Sequence, residues 1–598
     1  MPHQQAATML LLEQNRVNSG MRTLISLAGL LLSGILAGCA SAPPLPDVPE
    51  DATLAGAVAI EVEPEEIDYG SFTEDQLYQA IISELGAQRG QVEDASENYF
   101  DLAMATRDLN ILRRAVQFAS VTGDMNALMQ LGLLWSELEP DNPQPHLMLS
   151  FQFLENGSFD QALSHMARVI DLGGDMDFSA LATRTARLDP RSRGMLIENL
   201  RQLTREFGYQ ESIRLALVQL LAQNREFEDA LLELQLLVQL VELNPAIVLL
   251  QAQILQSMGS SDQALRLMRN GVREFDDDKS LRDGYARLLI QNDNYAAARE
   301  QYQIIVDQNP QDWETLYSIA LLDLEMEDFE RAARSFTQLI GVDQHTDESQ
   351  YYLGYIYEQQ QDYARAIEHY RQVRIGTNNF LAAQQQATRF SIQLGELDDA
   401  HQWLMNQARG RSQLEILFDT IESGMLIQHG YTSEAKELLD TALNKFPNEA
   451  DLLFARVLYF DSQGNQAGSE TDLHQIIRMQ PEDSRALNHL GYMLADQTTR
   501  YAEALELIER AIAIAPDDPA IIDSLAWAQY KLGQYEEALQ NLRRAFAAFP
   551  DHEIASHLGE VLWMMGRQDE ATQVWRDALE IQPDSDLIRE AIDRLNPS

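Results

Sequence analysis

The chain has 598 residues, 45% of them hydrophobic, and carries 93 acidic against 44 basic side chains, a formal net charge of −49. That apolar content fills a large core and speaks against wholesale disorder. The charge speaks against a nucleic-acid ligand, whose phosphates need Lys and Arg, and against lying flat on anionic lipid. The single cysteine, Cys39, forms neither an intramolecular disulfide nor a thiolate metal cage alone.

Residues 1–20 fit no part of a targeting signal, and the simplest reading starts translation at Met21. From there Met21-Arg22, an apolar run from Leu24 to Ile35 and a small-residue end give the three parts of a secretory signal peptide. The run is shorter than the roughly 20 residues of a membrane-spanning helix. The four residues Leu36-Ala37-Gly38-Cys39 resemble the lipobox of bacterial lipoproteins. The resemblance implies a diacylglycerol on the Cys39 thiol and cleavage before it, so that 1–38 is removed. A chance cysteine after an ordinary signal peptide is the plainer alternative. Several acyl chains, at about 0.8 kcal/mol per buried CH₂, exceed what stable anchoring needs. In that family an Asp after the cysteine holds the protein at the inner membrane. Ala40 stands there instead, which implies the outer membrane, facing the periplasm. Residues 39–71, rich in Pro and acid, predict a flexible linker that lifts the body off the membrane.

From residue 72 onward the chain repeats itself. Ala526, Ala538, Ala545 and Pro550 step by 12, 7 and 5, as do Gly559, Ala571, Ala578 and Pro583, and upstream Ala286, Ala298, Ile305 and Pro310. The first two steps recur at Ala320, Ala332 and Leu339, and at Gly354, Ala366 and Val373. Each unit predicts two helices that cross at small residues, with a proline ending the second. Aromatics expected just ahead of the second helix are Phe159, Phe227, Tyr295, Phe329, Tyr363 and Tyr535. Weaker copies lie at Gly90/Ala95, Ala115/Ala127, Gly157/Ala162, Ala252/Ala264, Gly395/Ala400 and Gly430/Ala435. Leu181–Phe207 is helical in pattern but poor in signature, and Leu231–Leu243 predicts one buried helix. These spacings resemble the tetratricopeptide (TPR) signature. The resemblance implies an all-α fold over 72–598, a right-handed superhelical solenoid of about 15 helix pairs.

Chemistry-bearing patterns are scarce. No GxxxxGK[ST] loop and no GxSxG elbow occurs. In HEIASH the histidines, His552 and His557, stand about 140° apart around a helix, too far to grip one metal together. The sequence therefore predicts no enzyme, no cofactor and no metal site. In TPR proteins certain first-helix positions face a groove. Carried onto this chain they nominate Tyr351, Tyr355, Asn488, Tyr492, Asp523, Trp527, Tyr530, Lys531, Glu560 and Trp563 as groove contacts. Aromatics there suit an extended, partly apolar polypeptide. The same rings are equally placed to wedge between repeats as core.

Three phrases, ALNHLGYMLADQTTRYAEALELIERA (486–511), IIDSLAWAQYKLGQYEEAL (521–539) and HLGEVLWMMGRQDEA (557–571), sharpen the reading. With SELGAQRGQVEDASENYFDLAMATRD (83–108) they resemble a proteobacterial family of outer-membrane TPR lipoproteins. That family includes adaptors of a periplasmic carboxy-terminal processing protease. The resemblance implies a membrane-tethered scaffold that brings such a protease to cell-wall hydrolases. The alternative is an assembly or export factor for pili, envelope polysaccharide or outer-membrane proteins.

Overall fold

The computed structural model describes residues 72–208 and 210–595. Cys39, the signal peptide and the 39–71 linker lie outside the described residues. Among the described residues there are 31 α-helices and one short 3₁₀ turn, which fall into fifteen successive pairs and a closing helix, Asp586–Leu595. This is the all-α repeat solenoid the spacings imply. The described residues divide into two compact units, one ending at Ala332 and the other beginning at Ala333.

The local rules are visible at each helix end. Asp518 accepts from the backbone N–H groups of Ala520 and Ile521, and Pro519 occupies the first helical position, where its missing N–H is no loss. Asn142/Pro143 and Asn244/Pro245 start two earlier helices the same way. Tyr295, Phe329, Tyr363 and Tyr535 each open a second helix rather than standing ahead of it. Most turns between paired helices use one left-handed residue. Gly533 (φ 80°) takes that conformation without strain, whereas the corresponding Gln361 adopts φ 59° with a side chain.

In the first unit the core runs from Tyr99 and Phe118 through Leu149, Met166 and Leu217 to Tyr302 and Leu322. The stretch of poor signature is explained there. Ser179–Arg184 is a short helix closed by the 3₁₀ turn Thr185–Arg187, and a new helix, Pro190–Glu206, is started by Asp189. The buried Arg193 guanidinium donates to the carbonyls of Gln223 (2.9 Å), Leu188 (2.6 Å) and Ala186 (3.2 Å). It thereby satisfies carbonyls left over by the broken helix and by the end of the helix Glu211–Gln223. The expected buried helix over Leu231–Leu243 is corrected. The helix is Phe227–Val238, with Leu234 and Leu237 buried but Leu232 and Leu236 exposed, and Leu240 lies exposed in the turn beyond it. A continuous leucine run hides which face meets a neighbour.

The second unit carries its core on Tyr370, Phe390, Phe418, Leu453, Leu490, Ile508, Leu542 and Trp575. The small residues of the repeat lie where paired helices cross. A Cβ on Gly354 would come within 2.6 Å of the Tyr370 ring, and one on Gly491 within 2.5 Å of Ile508. One on Gly559 would come within 2.1 Å of Trp575 Nε1. Trp575 is 2% exposed and its indole donates to the Ser556 carbonyl at 3.3 Å, so the ring has nowhere to retreat. Gly559→Ala is therefore expected to destabilise the C-terminal repeats by about 1–3 kcal/mol, read as a lower midpoint in urea unfolding followed by tryptophan fluorescence.

Candidate functional site

The residues nominated as groove contacts all fall in the second unit. Eight of them lie on three successive first helices, Ser484–Gln497, Pro519–Lys531 and His552–Met564. On Pro519–Lys531, Asp523, Trp527 and Lys531 are spaced four apart and share a face. The structure brings these residues together, but around an internal centre that the sequence did not indicate, His557.

His557 is 7% exposed, and its Nδ1 lies 2.9 and 3.0 Å from the two Asp523 carboxylate oxygens. Its ring stacks on Trp527 at 4.0 Å between centroids. Trp527 is 3% exposed and its Nε1 donates to Asp496 at 3.2 Å. The Lys531 ammonium sits 4.5 Å above the same indole, a cation–π contact of about 0.5–2 kcal/mol. Tyr492 donates to Glu553 at 3.0 Å, and Tyr530 donates to Glu560 at 3.1 Å. Glu560, 4% exposed, also accepts from Arg594 of the closing helix. Burial, reinforced by the facing carboxylates, pushes both phenols above their usual range, so they remain donors.

These partners correct part of the sequence expectation. Asp523, Trp527 and Glu560 are not open contacts, because each is buried and bonded within the unit. Their hydrogen-bonding capacity and area tie one repeat to the next. Tyr351 packs on Tyr352 and Tyr370, with centroids 5.6 Å apart in both cases. Tyr355 is half-buried on the same helix. Trp563 is half-buried, lies 5.9 Å from Trp575 and lines a cavity of about 390 Å³ with Leu579 and Ile592. Asn488 is half-buried and its carboxamide oxygen meets no donor among the described residues. His552, which the sequence left without a role, stands 3.1 Å from Ser585 Oγ.

Two features were not legible beforehand. In the first unit, the opening helix Glu74–Ala87 leaves Leu77, Tyr78, Ile81, Ile82 and Leu85 between 41% and 60% exposed. Their spacing puts them on one helical face. In the second unit, a cavity of about 1080 Å³ is lined by residues of Leu397–Ala408, Ser412–Gln428 and Thr432–Lys445.

Two outcomes follow from the His557 centre. Trp527→Ala removes a buried ring between repeats and is expected to destabilise by about 3–5 kcal/mol, seen as a lower thermal midpoint. Burial works against charge on His557, but the Asp523 carboxylate outweighs it and raises the imidazole above its ordinary value. A raised histidine contributes stability in full below the unfolded value of about 6.5, and loses it as pH climbs through the folded value. Wild-type stability is thus expected to decline as pH rises above 6.5, with a shallower slope in His557→Gln. Urea midpoints across pH 5.5–9 measure the two slopes.

Comparison with known proteins agrees with this architecture. Residues 249–312, 317–380 and 454–519 match one tetratricopeptide-repeat family model, and 497–556 and 529–595 match a second. The TPR repeat-containing protein PA4667 of Pseudomonas aeruginosa is 35% identical over 553 residues, 92% of either chain. TPR repeat-containing protein YpiA of Bacillus subtilis is 22% identical, covering 58% of this chain and 89% of its own. Among solved structures, a tetratricopeptide repeat protein from Parabacteroides merdae aligns with TM-score 0.32 at 16% identity, over 42% of this chain and 99% of that one.

Proposed function

We propose that this chain, which belongs to the tetratricopeptide-repeat proteins, acts as a protein-binding scaffold tethered to the outer membrane through lipid on Cys39. Facing the periplasm, it serves as an adaptor that brings a carboxy-terminal processing protease to cell-wall hydrolase substrates.

The observation that carries a partner-binding role is the exposed apolar face of Glu74–Ala87. Five large hydrophobic side chains on one helical face are a poor surface for water and a good one for a partner. Most of the aromatics that the repeat pattern nominated are, by contrast, occupied inside the fold. The tether supports the same reading. The open helix begins directly after the linker, so a bound enzyme would be held within reach of the envelope. Tethering of this kind raises effective concentration to roughly the millimolar range. Multiple substrates could then be offered to one membrane-held protease without any chemistry by the scaffold itself.

The test is affinity purification of the tagged chain from detergent-solubilised envelopes, compared with an Ile81→Asp/Leu85→Asp variant and with Cys39→Ser. The expected outcome is a stoichiometric processing protease with enriched hydrolases on the wild type. Both should be lost from the apolar-face variant with helicity unchanged, and Cys39→Ser should leave the membrane fraction. Pilus, polysaccharide or outer-membrane assembly components in place of the protease would overturn the adaptor role.

A further inference from the structure

The cavity of about 1080 Å³ in the second unit contains a side-chain arrangement that the scaffold reading does not use. Asp419 and Glu422 stand three residues apart on Ser412–Gln428 and so share a face. His401 reaches them from the preceding helix, Leu397–Ala408, across the seam between two successive helix pairs. Asp419 is 4% and Glu422 2% exposed. His401 Nδ1 is 2.9 Å from Glu422 Oε2.

Asp419 is the informative residue. A buried carboxylate ordinarily has an Arg, a Lys or several N–H donors around it. The side chain of Asp419 has no hydrogen bond and no ion pair among the described residues, and it faces the cavity. The nearest lysine, Lys445, is engaged instead by Glu415, one turn earlier on the same helix. Asp398, Glu434 and Glu437 also line the cavity. The site therefore gathers carboxylates around Asp419, whose charge is offset only through space, by His401 and Lys445, and by no direct bond.

One nitrogen and two oxygen ligand atoms of His401, Asp419 and Glu422 all lie within 4.8 Å of one another. Ligand atoms on one tetrahedral zinc ion lie about 3.4 Å apart, given bonds of about 2.0–2.2 Å, so side-chain movements of about 1 Å close the set. We propose that His401, Asp419 and Glu422 bind a divalent first-row metal ion, with Zn²⁺ the best match, and that the ion clamps two successive helix pairs together. The imidazole selects a borderline ion such as Zn²⁺ over Mg²⁺ or Ca²⁺, which take oxygen ligands. Water from the cavity completes the coordination. An ammonium or guanidinium group from a partner would use only the carboxylates, whereas a metal ion uses all three side chains and releases His401 from Glu422. The seam position gives the ion a structural consequence, since both helix pairs contribute ligands and neither holds the set alone.

Titration calorimetry of Zn²⁺ into the full chain, with Cys39→Ser included to remove thiol binding, tests the assignment. One saturable Zn²⁺ per chain is expected. His401→Gln and Asp419→Asn should each weaken it by about tenfold or more. Asp398→Asn and Glu437→Gln, which line the cavity outside the ligand set, should change it by less than about twofold. Zn²⁺ should also raise the thermal midpoint of the parent and not of the two ligand variants. Circular dichroism establishes that Asp419→Asn, which removes a charge that no hydrogen bond or ion pair holds, keeps its helices. Absence of saturable Zn²⁺ binding, or an affinity unchanged by both ligand substitutions in folded protein, overturns the proposal.

Discussion

The helix pairs depend on one steric constraint. Two helices cross closely where one of them carries a small residue, glycine or alanine, and at the glycine crossings the partner fills the vacated space with a large side chain. Gly354 against Tyr370, Gly491 against Ile508 and Gly559 against Trp575 are three instances of that exchange in the second unit. Once a crossing is fixed, the second helix is held at a set angle to the first, and both present apolar stripes that no single pair can cover. The next pair must cover them. The core clusters accordingly spread over several successive pairs within each unit, rather than closing around one centre.

Polar groups follow the same logic of neighbour dependence. His557 takes its anion from Asp523, 34 residues earlier, and Trp527 takes its acceptor from Asp496, 31 residues earlier. Tyr530 and Glu560 are 30 residues apart, and Arg594 joins them from 34 residues further on. These separations are close to the repeat length, so equivalent positions in adjacent repeats satisfy one another. Buried polar side chains that would be costly alone become a ladder that fixes the register between repeats. This accounts for a chain of strongly acidic composition that still buries Asp and Glu in its interior.

The division between internal and available surface bears directly on function. First-helix aromatics in the C-terminal repeats are largely consumed by the ladder. Available apolar surface lies instead on Glu74–Ala87, where no earlier described repeat covers the stripe. A terminal repeat with a polar outer face would be inert to partners. This one is apolar, and it follows the segment that carries the proposed anchor. In the proposed scaffold, the first helix is the surface offered to partners, and the repeat interior stays within the fold.

Much of the architecture was determined by the sequence alone. The steps of 12, 7 and 5 between small residues and proline mark crossings and helix ends, because sterics at a crossing and the missing proline N–H act on a few neighbouring residues. Helix content, pair count and the aromatic that opens several of the second helices, such as Tyr295, Tyr363 and Tyr535, follow from such local causes. The extent of burial did not follow. The leucines from Leu231 to Leu243 read as uniformly buried, yet Leu232, Leu236 and Leu240 face outward, since exposure depends on which neighbour arrives. Trp527 was equally a groove contact and a wedge until His557 was brought onto its face from the next repeat. The meeting of His401 with Asp419 and Glu422 has no motif spacing either, because the ligand set comes from two helix pairs. Tertiary structure decided these points, for the physical reason that burial and charge compensation are properties of contacts between repeats, whereas helix formation and crossing are properties of residues within one.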